Sequence, residues 1–180
     1  MELSLLSAAG VFLWPLLICS ALALFVATER ALALAASRTV PLGYLQGNYP
    51  SGKASASAAA RLLALRRKGL RGEALRRAAE TEVVALQRGL FLLDSVVAIA
   101  PLLGLLGTVT GLAGVFASGT APDPSRLAAG FGLALSTTVI GLGIAIPAQF
   151  AANWLYRRIE IVADQLVSLA ATLSEADPAP

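Results

Sequence analysis

Three stretches of the sequence, at 3–28, 95–122 and 127–156, contain no charged residue. A helix needs roughly 20 apolar residues to cross the hydrocarbon core of a bilayer, and each stretch is longer than that. Of the 180 residues, 57% are hydrophobic, and the mean hydropathy of +0.74 is too high for a water-soluble domain of this size. The sequence therefore predicts an all-α integral membrane protein with three transmembrane helices.

The first apolar stretch is predicted to be a retained helix and not a cleaved signal peptide. Its N-terminal flank carries Glu2 and neither Lys nor Arg. Its apolar run is also longer than the hydrophobic centre of a typical signal peptide. All three spans are therefore expected in the working protein.

Basic residues are concentrated on one side of the predicted spans. Eleven of the fourteen Lys and Arg lie at 30–88, Arg157 and Arg158 follow the third span, and Arg126 lies between spans two and three. Because positively charged flanks stay in the cytoplasm, the N-terminus is predicted outside and the C-terminus inside. The predicted organisation is a transmembrane helix at 3–28, a cytoplasmic basic helical loop at 29–88, a second transmembrane helix at 89–118, a short periplasmic turn at 119–127, a third transmembrane helix at 128–156, its cytoplasmic continuation at 157–176 and a tail at 177–180.

The cytoplasmic segments also have helical patterns. Two short basic helices are predicted at 61–68 and 71–82, with a bend around 69–72. Beyond the third span, apolar residues recur with spacings of three and four at Ile159, Val162, Leu166, Leu169 and Leu173. Because one short helix of this kind is marginal in water, this seam needs a partner helix. The partner is either a second copy of the seam or the basic helices at 61–82.

Small residues line one face of the second and of the third span. In the second span the glycines are three, four and three residues apart, a spacing that places them on one helical face, at Gly104, Gly107, Gly111 and Gly114. The third span has a matching stripe that includes Gly130 and Gly141. Such faces let two helix backbones approach closely in a membrane. Spans two and three are joined by a short turn, so they are predicted to be antiparallel neighbours.

Several classes of chemistry have too few residues to support them. The sequence has no histidine, a single cysteine, Cys19, and no cluster of cysteines or carboxylates. Ser51-Gly52-Lys53 lacks the upstream glycine and the following hydroxyl of a phosphate-binding loop. We therefore expect no metal, no cofactor, no conventional enzymatic activity and no nucleic-acid partner.

Asp94 is the one carboxylate near the start of the second span. An acidic residue within a membrane is a functional candidate by default. Arg88 is one or two helical turns away, so an interfacial or salt-bridged Asp94 is favoured over a proton relay. Both interpretations stay open at this point.

Two ordered motifs resemble a known family. They are APLLGLLGTVTG at 100–111 and TVIGLGIAIP at 138–147. Together they resemble the ExbB/TolQ/MotA proton-channel family, in particular its shorter ExbB-like and TolQ-like branch. Trp14-Pro15-Leu16 and Glu29-Arg30 fit the first helix of that branch, so the resemblance covers most of the chain.

The resemblance implies a pentamer in the bacterial inner membrane that surrounds the single membrane helices of an ExbD/TolR/MotB-like partner. The partner's membrane aspartate would carry protons, and the flow would drive movement that does work in the cell envelope. Thr108 and Thr138 match the family's threonines and would line the ion path, at about the same depth in the bilayer. Three further hydroxyl residues are secondary candidates: Thr110, Ser136 and Thr137.

One position departs from the family pattern. Leu133 stands where ExbB-like and TolQ-like proteins usually have a glutamate, five residues before Thr138. Three interpretations are open: the partner's acid does all the carrying, waters ordered by Ser136 or Thr137 substitute, or the chain is a non-conducting scaffold that clamps a single-span partner. The sequence leaves open whether the work is nutrient import, envelope maintenance, export or motility, and whether the ion is a proton or sodium.

Overall fold

The computed structural model describes residues 12–36, 58–116 and 123–175, apart from the side chains at positions 36, 126, 129, 133 and 175. The described ranges form helices and contain no strand, which confirms the all-α prediction. Three of the helices are long and apolar enough to cross a membrane. The helices are α1 (Leu13–Ala36), α2 (Ala58–Arg67), α3 (Gly72–Gln87), α4 (Leu90–Phe116) and α5 (Pro124–Glu175).

Some predicted features lie outside the described residues. They are the flank with Glu2 and the start of the first span, the part of the loop at 37–57, the turn at 117–122 and the tail at 177–180. The helix after that turn begins at Pro124, earlier than the predicted third span at 128. It then continues without a break through Pro147 to Glu175, over 52 residues.

The described chain divides into two compact units. The first unit contains α1 up to Ala27, all of α4, and α5 up to Ala152. Its buried positions are mostly small, such as Ala100, Gly104 and Ala134. Many of its large apolar side chains point outward instead; Leu102 is 63% exposed and Val139 is 68% exposed. An apolar outer surface over a small-residue interior is typical of helices that pack in lipid.

The second unit contains the end of α1 from Thr28, all of α2 and α3, and the end of α5 from Asn153. The five seam residues predicted at 159–173 are at most 7% exposed within the single chain, and Leu62 of α2 and Leu75 of α3 are fully buried in the same unit. The seam is therefore covered within the single chain, in the unit that contains the basic helices, and needs no second copy of the chain. The short loop helices could not bury a core by themselves, and α5 supplies the missing face.

The predicted bend between the two basic helices is a turn at residues 68–71. Gly69 and Gly72 take positive φ angles of 96° and 52° there, a conformation that glycine adopts without steric cost. Arg61 of α2 also donates hydrogen bonds from Nε and Nη2 to Oε2 of Glu82 on α3, at 2.9 and 2.6 Å. These bonds raise the pKa of Arg61. Because 48% of the Arg61 side chain is exposed, the pair adds at most about 1 kcal/mol.

The seam yields a prediction about stability. Leu166→Ala removes a fully buried side chain from the second unit and should lower its unfolding free energy by about 2–5 kcal/mol. Val167→Ala is the matched control, since Val167 is 40% exposed on the same turn of α5. Thermal unfolding of the detergent-solubilised protein, followed by circular dichroism, measures both. Equal melting temperatures for the two variants would show that the seam is not a core.

Candidate functional site

The centre of the first unit is a contact between the backbones of α4 and α5. A Cβ atom added to Gly104 would lie 2.8 Å from the carbonyl oxygen of Thr137 and 3.0 Å from Cα of Thr138. A Cβ added to Gly141 would lie 2.5 Å from the carbonyl oxygen of Ala100. Neither position has room for a methyl group, because the obstructing atoms belong to backbone. The two helices therefore touch at these glycines.

The other predicted packing glycines differ in how tightly they are enclosed. A Cβ on Gly107 would lie 2.7 Å from Oγ1 of Thr137, and one on Gly111 would make an ordinary contact of 3.4 Å with Ala134. At Gly130 the added atom would collide with Cγ2 of Val115. Gly114 is different, because no atom of the described residues lies within 4 Å of its added Cβ. The packing role predicted for Gly114 is thus not seen within one chain.

The order of these contacts fixes the direction of the pair. Positions later in α4 meet positions earlier in α5: Ala100 lies against Gly141, Gly104 against Thr138, and Gly111 against Ala134. The helices are therefore antiparallel, and the step of eleven residues from Ala100 to Gly111 on α4 lies against the step of seven residues from Gly141 back to Ala134 on α5. This register gives the relative height of any two side chains on the pair.

Thr137 connects the two helices. It is 2% exposed and is the buried polar residue of the described chain. Its hydroxyl lies 3.1 Å from the carbonyl oxygen of Gly104, across the interface, and 2.8 Å from that of Ala134 on its own helix. A hydroxyl within donating distance of a neighbouring helix stabilises helix association in lipid by roughly 1 kcal/mol. Thr137, predicted as a secondary pathway residue, thus acts first as an interhelical bridge.

Thr108 and Thr138 lie beside this interface, on the same side of it. Thr108 comes four residues after Gly104 and one after Gly107, and Thr138 comes one after Thr137. Successive residues of a right-handed α-helix are rotated by about 100° about the helix axis. Seen from one end of an antiparallel pair, this rotation is clockwise in one helix and anticlockwise in the other. Residues that directly follow contact positions on the two helices therefore share one side. We call this side, which carries Thr108 on α4 and Thr138 on α5, the threonine flank.

The two threonines also lie at similar heights. Thr138 is level with Gly104, and Thr108 is four residues further along α4, which corresponds to about 6 Å. Roughly one helical turn thus separates the residues that the sequence placed at one depth.

The hydroxyl groups on the flank have different hydrogen bonds. Thr108 Oγ1 donates to the carbonyl oxygen of Leu105 on its own helix, at 2.6 Å. Thr138 Oγ1 is buried and has no hydrogen-bond partner in the part of the chain that the structure describes. An unsatisfied buried hydroxyl costs about 1–3 kcal/mol. The Thr138 hydroxyl is therefore a polar atom that the chain itself covers, and it gains a partner only where water or a neighbouring group displaces that cover.

The remaining secondary candidates lie away from the threonine flank. Thr110 directly precedes the contact residue Gly111, and Ser136 directly precedes Thr137, so both are turned away from it. Thr110 Oγ1 donates to the carbonyl oxygen of Leu106, at 2.8 Å. Leu133 lies within α5, but its side chain is not among those described, so its effect on the path stays a prediction.

Helix α1 packs on the other side of α5. Residues 20–27 of α1 and residues 143–151 of α5 line a mostly apolar cleft of about 350 Å³. The α5 residues of this cleft include Ile144 and Ala151, each of which directly precedes a buried position, Ala145 or Ala152. By the same helical geometry, they lie opposite Thr138. The fold of one chain therefore places α1 and the threonine flank on different sides of α5.

The helices that could cross a membrane and the glycine contact define a multi-span helical membrane protein. The sequence model of the MotA/TolQ/ExbB proton channel family matches residues 53–167. The chain belongs to this family, which confirms the resemblance found in its sequence motifs.

Individual relatives agree with this assignment. The chain is 34% identical over 171 residues to "Biopolymer transport protein exbB1" of Vibrio cholerae serotype O1, which covers 81% of this chain and 75% of the relative. It is 42% identical over 79 residues to "Putative biopolymer transport protein ExbB-like 1" of Synechocystis sp., covering 41% of this chain and 31% of the relative. It is 47% identical over 85 residues to "Biopolymer transport protein ExbB" of Xanthomonas campestris pv. campestris, covering 45% and 33%. The matched region thus spans about a third of the last two relatives.

The glycine contact can be tested with a single methyl group. Gly104→Ala should destabilise the α4–α5 pair, because the new Cβ meets backbone atoms of Thr137 and Thr138 at 2.8–3.0 Å. Gly114→Ala adds the same atom in open space, so it should be neutral or stabilise the helix by up to about 1 kcal/mol. Thermal stability in detergent compares the two variants. A Gly104→Ala protein as stable as Gly114→Ala would contradict the backbone contact.

Proposed function

We propose that the chain is an ion-conducting subunit of the bacterial inner membrane, with its N-terminus outside and its C-terminus in the cytoplasm. Together with an ExbD/TolR/MotB-like single-span partner, it would couple the proton-motive force to mechanical work in the cell envelope. The observation that carries the proposal is the buried, unpartnered hydroxyl of Thr138 on the same flank as Thr108. Membership of the proton channel family supports it.

The chemistry of the threonine flank suits a partner's carboxyl group. A hydroxyl both donates and accepts hydrogen bonds, so Thr138 can hold a water molecule or a neutral carboxylic acid without carrying a charge itself. Charged groups are expensive in hydrocarbon, and a proton is therefore best carried there by an acid that moves between protonated and ionised forms. Thr108, about one turn away, offers a second hydroxyl to the same group.

The packing of one chain suits a closed ring. Because α1 lies on the other side of α5, an assembly of identical chains can turn its threonine flanks inward and its α1 helices toward lipid. A homopentamer is the assembly that the family resemblance implies. Its lumen would hold the membrane helices of the partner, lined with hydroxyls from each copy.

The names of the relatives favour transport as the work that is driven. The Vibrio and Xanthomonas relatives are biopolymer transport proteins by name. Protein or nutrient transport across the envelope is accordingly our first choice, ahead of envelope maintenance and motility. A non-conducting scaffold is the second candidate function, and the departure at Leu133 is the observation that favours it.

Replacing the Thr138 hydroxyl tests conduction directly. The tagged chain is purified with its single-span partner and reconstituted into vesicles that contain a pH-sensitive dye. Under an imposed potential, Thr138→Val should lower the proton flux by about tenfold or more, because the partner's acid loses a hydrogen bond in a water-poor site. Thr110→Val removes the same atom from the other side of α4 and should leave the flux near the wild-type rate.

Two results would contradict the proposal. Wild-type vesicles that show no flux above empty vesicles would favour the scaffold. Equal losses of proton flux for Thr138→Val and Thr110→Val would show that the loss does not depend on the side of the helix pair from which the hydroxyl is removed. Intact complexes in size-exclusion chromatography serve as the control for assembly.

The departure from the family pattern can be tested in the same vesicles. If Leu133 lies next to the ion path, Leu133→Glu should change the flux by several-fold, since it adds an ionisable group there. Leu135→Glu, two residues further along α5, is the comparison on the threonine flank itself, because Leu135 directly follows the contact residue Ala134 and is 61% exposed. Unchanged flux in an intact Leu133→Glu complex would place residue 133 outside the path.

A further inference from the structure

We infer that Asp94 and Gln149 form a second polar level on the threonine flank, where the transported ion passes between the threonines and the cytoplasm. This inference rests on the proposed function. It resolves the question that the sequence left open for Asp94 in favour of a place on the ion path. It also adds Gln149, which no sequence motif indicated.

The position of Asp94 on α4 repeats that of Thr108. Asp94 comes four residues after Leu90 and one after Leu93, both of which are buried. Thr108 stands in the same relation to Gly104 and Gly107. The two side chains are fourteen residues apart, which is close to a whole number of helical turns. Asp94 therefore lies on the threonine flank, about 21 Å along α4 from Thr108.

Gln149 occupies the corresponding position on α5. It comes four residues after Ala145 and one after Ala148, which are 6% and 5% exposed. Thr138 has this relation to Ala134 and Thr137. Gln149 thus lies on the same side of the helix pair as Asp94.

The register of the glycine contact brings these two residues to one height. Asp94 is ten residues before Gly104, which lies against Thr138. Ten residues after Thr138 is Ala148, the neighbour of Gln149. The contact between Ala100 and Gly141, extended at the spacing of the observed contacts, places Asp94 level with residue 145. Asp94 and Gln149 are therefore level to within about 6 Å, or one helical turn, along the helix axes.

The second polar level contains the carboxylate of the α4–α5 pair. In the sequence of α4, and of α5 as far as Ala152, Asp94 is the single carboxylate. Both Asp94 and Gln149 are exposed on the surface of the single chain, so they face whatever occupies the flank. A carboxylate that can gain and lose a proton, beside an amide that donates and accepts hydrogen bonds, suits a point of ion exchange with water.

A backbone atom adds polarity between the two levels. Pro101 also follows a buried contact residue, Ala100, and so lies on the threonine flank. Proline has no N–H group to donate to the carbonyl oxygen of Val97, four residues earlier. That oxygen therefore lacks its usual helical donor and offers an acceptor one turn deeper than Asp94.

Ion flux tests whether this level belongs to the path. In vesicles with the partner, Asp94→Asn and Gln149→Leu should each lower the flux by about tenfold or more. Asp94→Glu should restore most of it, because it keeps the carboxyl group. Asp123→Asn is the matched control, since Asp123 is an exposed carboxylate next to the start of α5 and outside both polar levels.

The failures of the two proposals are distinguishable. If the wild type conducts and Thr138→Val does not, normal flux in Asp94→Asn and Gln149→Leu overturns the inference and leaves the proposed function intact. If the wild type does not conduct, the proposed function is wrong. The ion-transfer role of Asp94 and Gln149 is then wrong as well.

Accessibility to water provides a readout that does not depend on flux. In a Cys19→Ser background, Asp94→Cys and Gln149→Cys should react with a membrane-impermeant maleimide about tenfold faster than cysteines on the lipid-facing side. Phe150→Cys, at the depth of Gln149, is one control, because Phe150 is 73% exposed and is turned away from α4. Leu92→Cys, two residues before Asp94, is the control on α4, because Leu92 directly precedes the buried Leu93 and so is turned away from the flank. Labelling of positions 94 and 149 as slow as these controls would overturn the inference, whatever the flux.

Discussion

The contact between the backbones of α4 and α5 determines the rest of the first unit. Gly104 and Gly141 leave no space for a Cβ, so the helices approach until the Thr137 hydroxyl comes within hydrogen-bond distance of the carbonyl oxygen of Gly104. In lipid no hydrophobic force drives helices together, and such close packing with an interhelical hydrogen bond takes its place. The contact also fixes how each helix is rotated. The positions that follow contact residues must then all lie on one flank.

As a consequence, neighbouring residues of α5 have different roles. Thr137 turns inward and holds the helices together, whereas Thr138, one residue later, lies on the flank with its hydroxyl buried and unpartnered. The same rule places Asp94 and Gln149 on the flank and α1 on the other side of α5. A polar side chain that costs stability in a single chain is thus kept at a position where an assembly can satisfy it.

Much of this could be predicted from the sequence, because composition and spacing report directly on single helices. The charge-free stretches predicted the three apolar helices, the glycine spacing predicted a packing face, and two motifs indicated the family. The roles of individual residues depend on how helices are rotated against each other, which spacing alone does not give. The family motif therefore ranks Thr137 below Thr138 although Thr137 bridges the helices, and the glycine spacing groups Gly114 with glycines that make contacts.

The cytoplasmic seam illustrates the same limit. Its apolar spacing showed that a partner helix was needed but fitted two partners equally well. Burial of Leu166 and its neighbours together with Leu62 and Leu75 identifies the partner within the chain. At Leu133 the sequence shows a departure from the family, and only the ion flux of a variant can give its consequence.

The most direct test of the account is a high-resolution map of the complex, purified with its partner and embedded in lipid nanodiscs. We expect the chains to enclose a lumen, and we expect Thr138 Oγ1, which is covered in the single chain, to be open to that lumen within hydrogen-bond distance of water or of a carboxyl group on the partner's helix. Acyl-chain density packed against Thr138, or chains that stand apart with no shared lumen, would contradict the account.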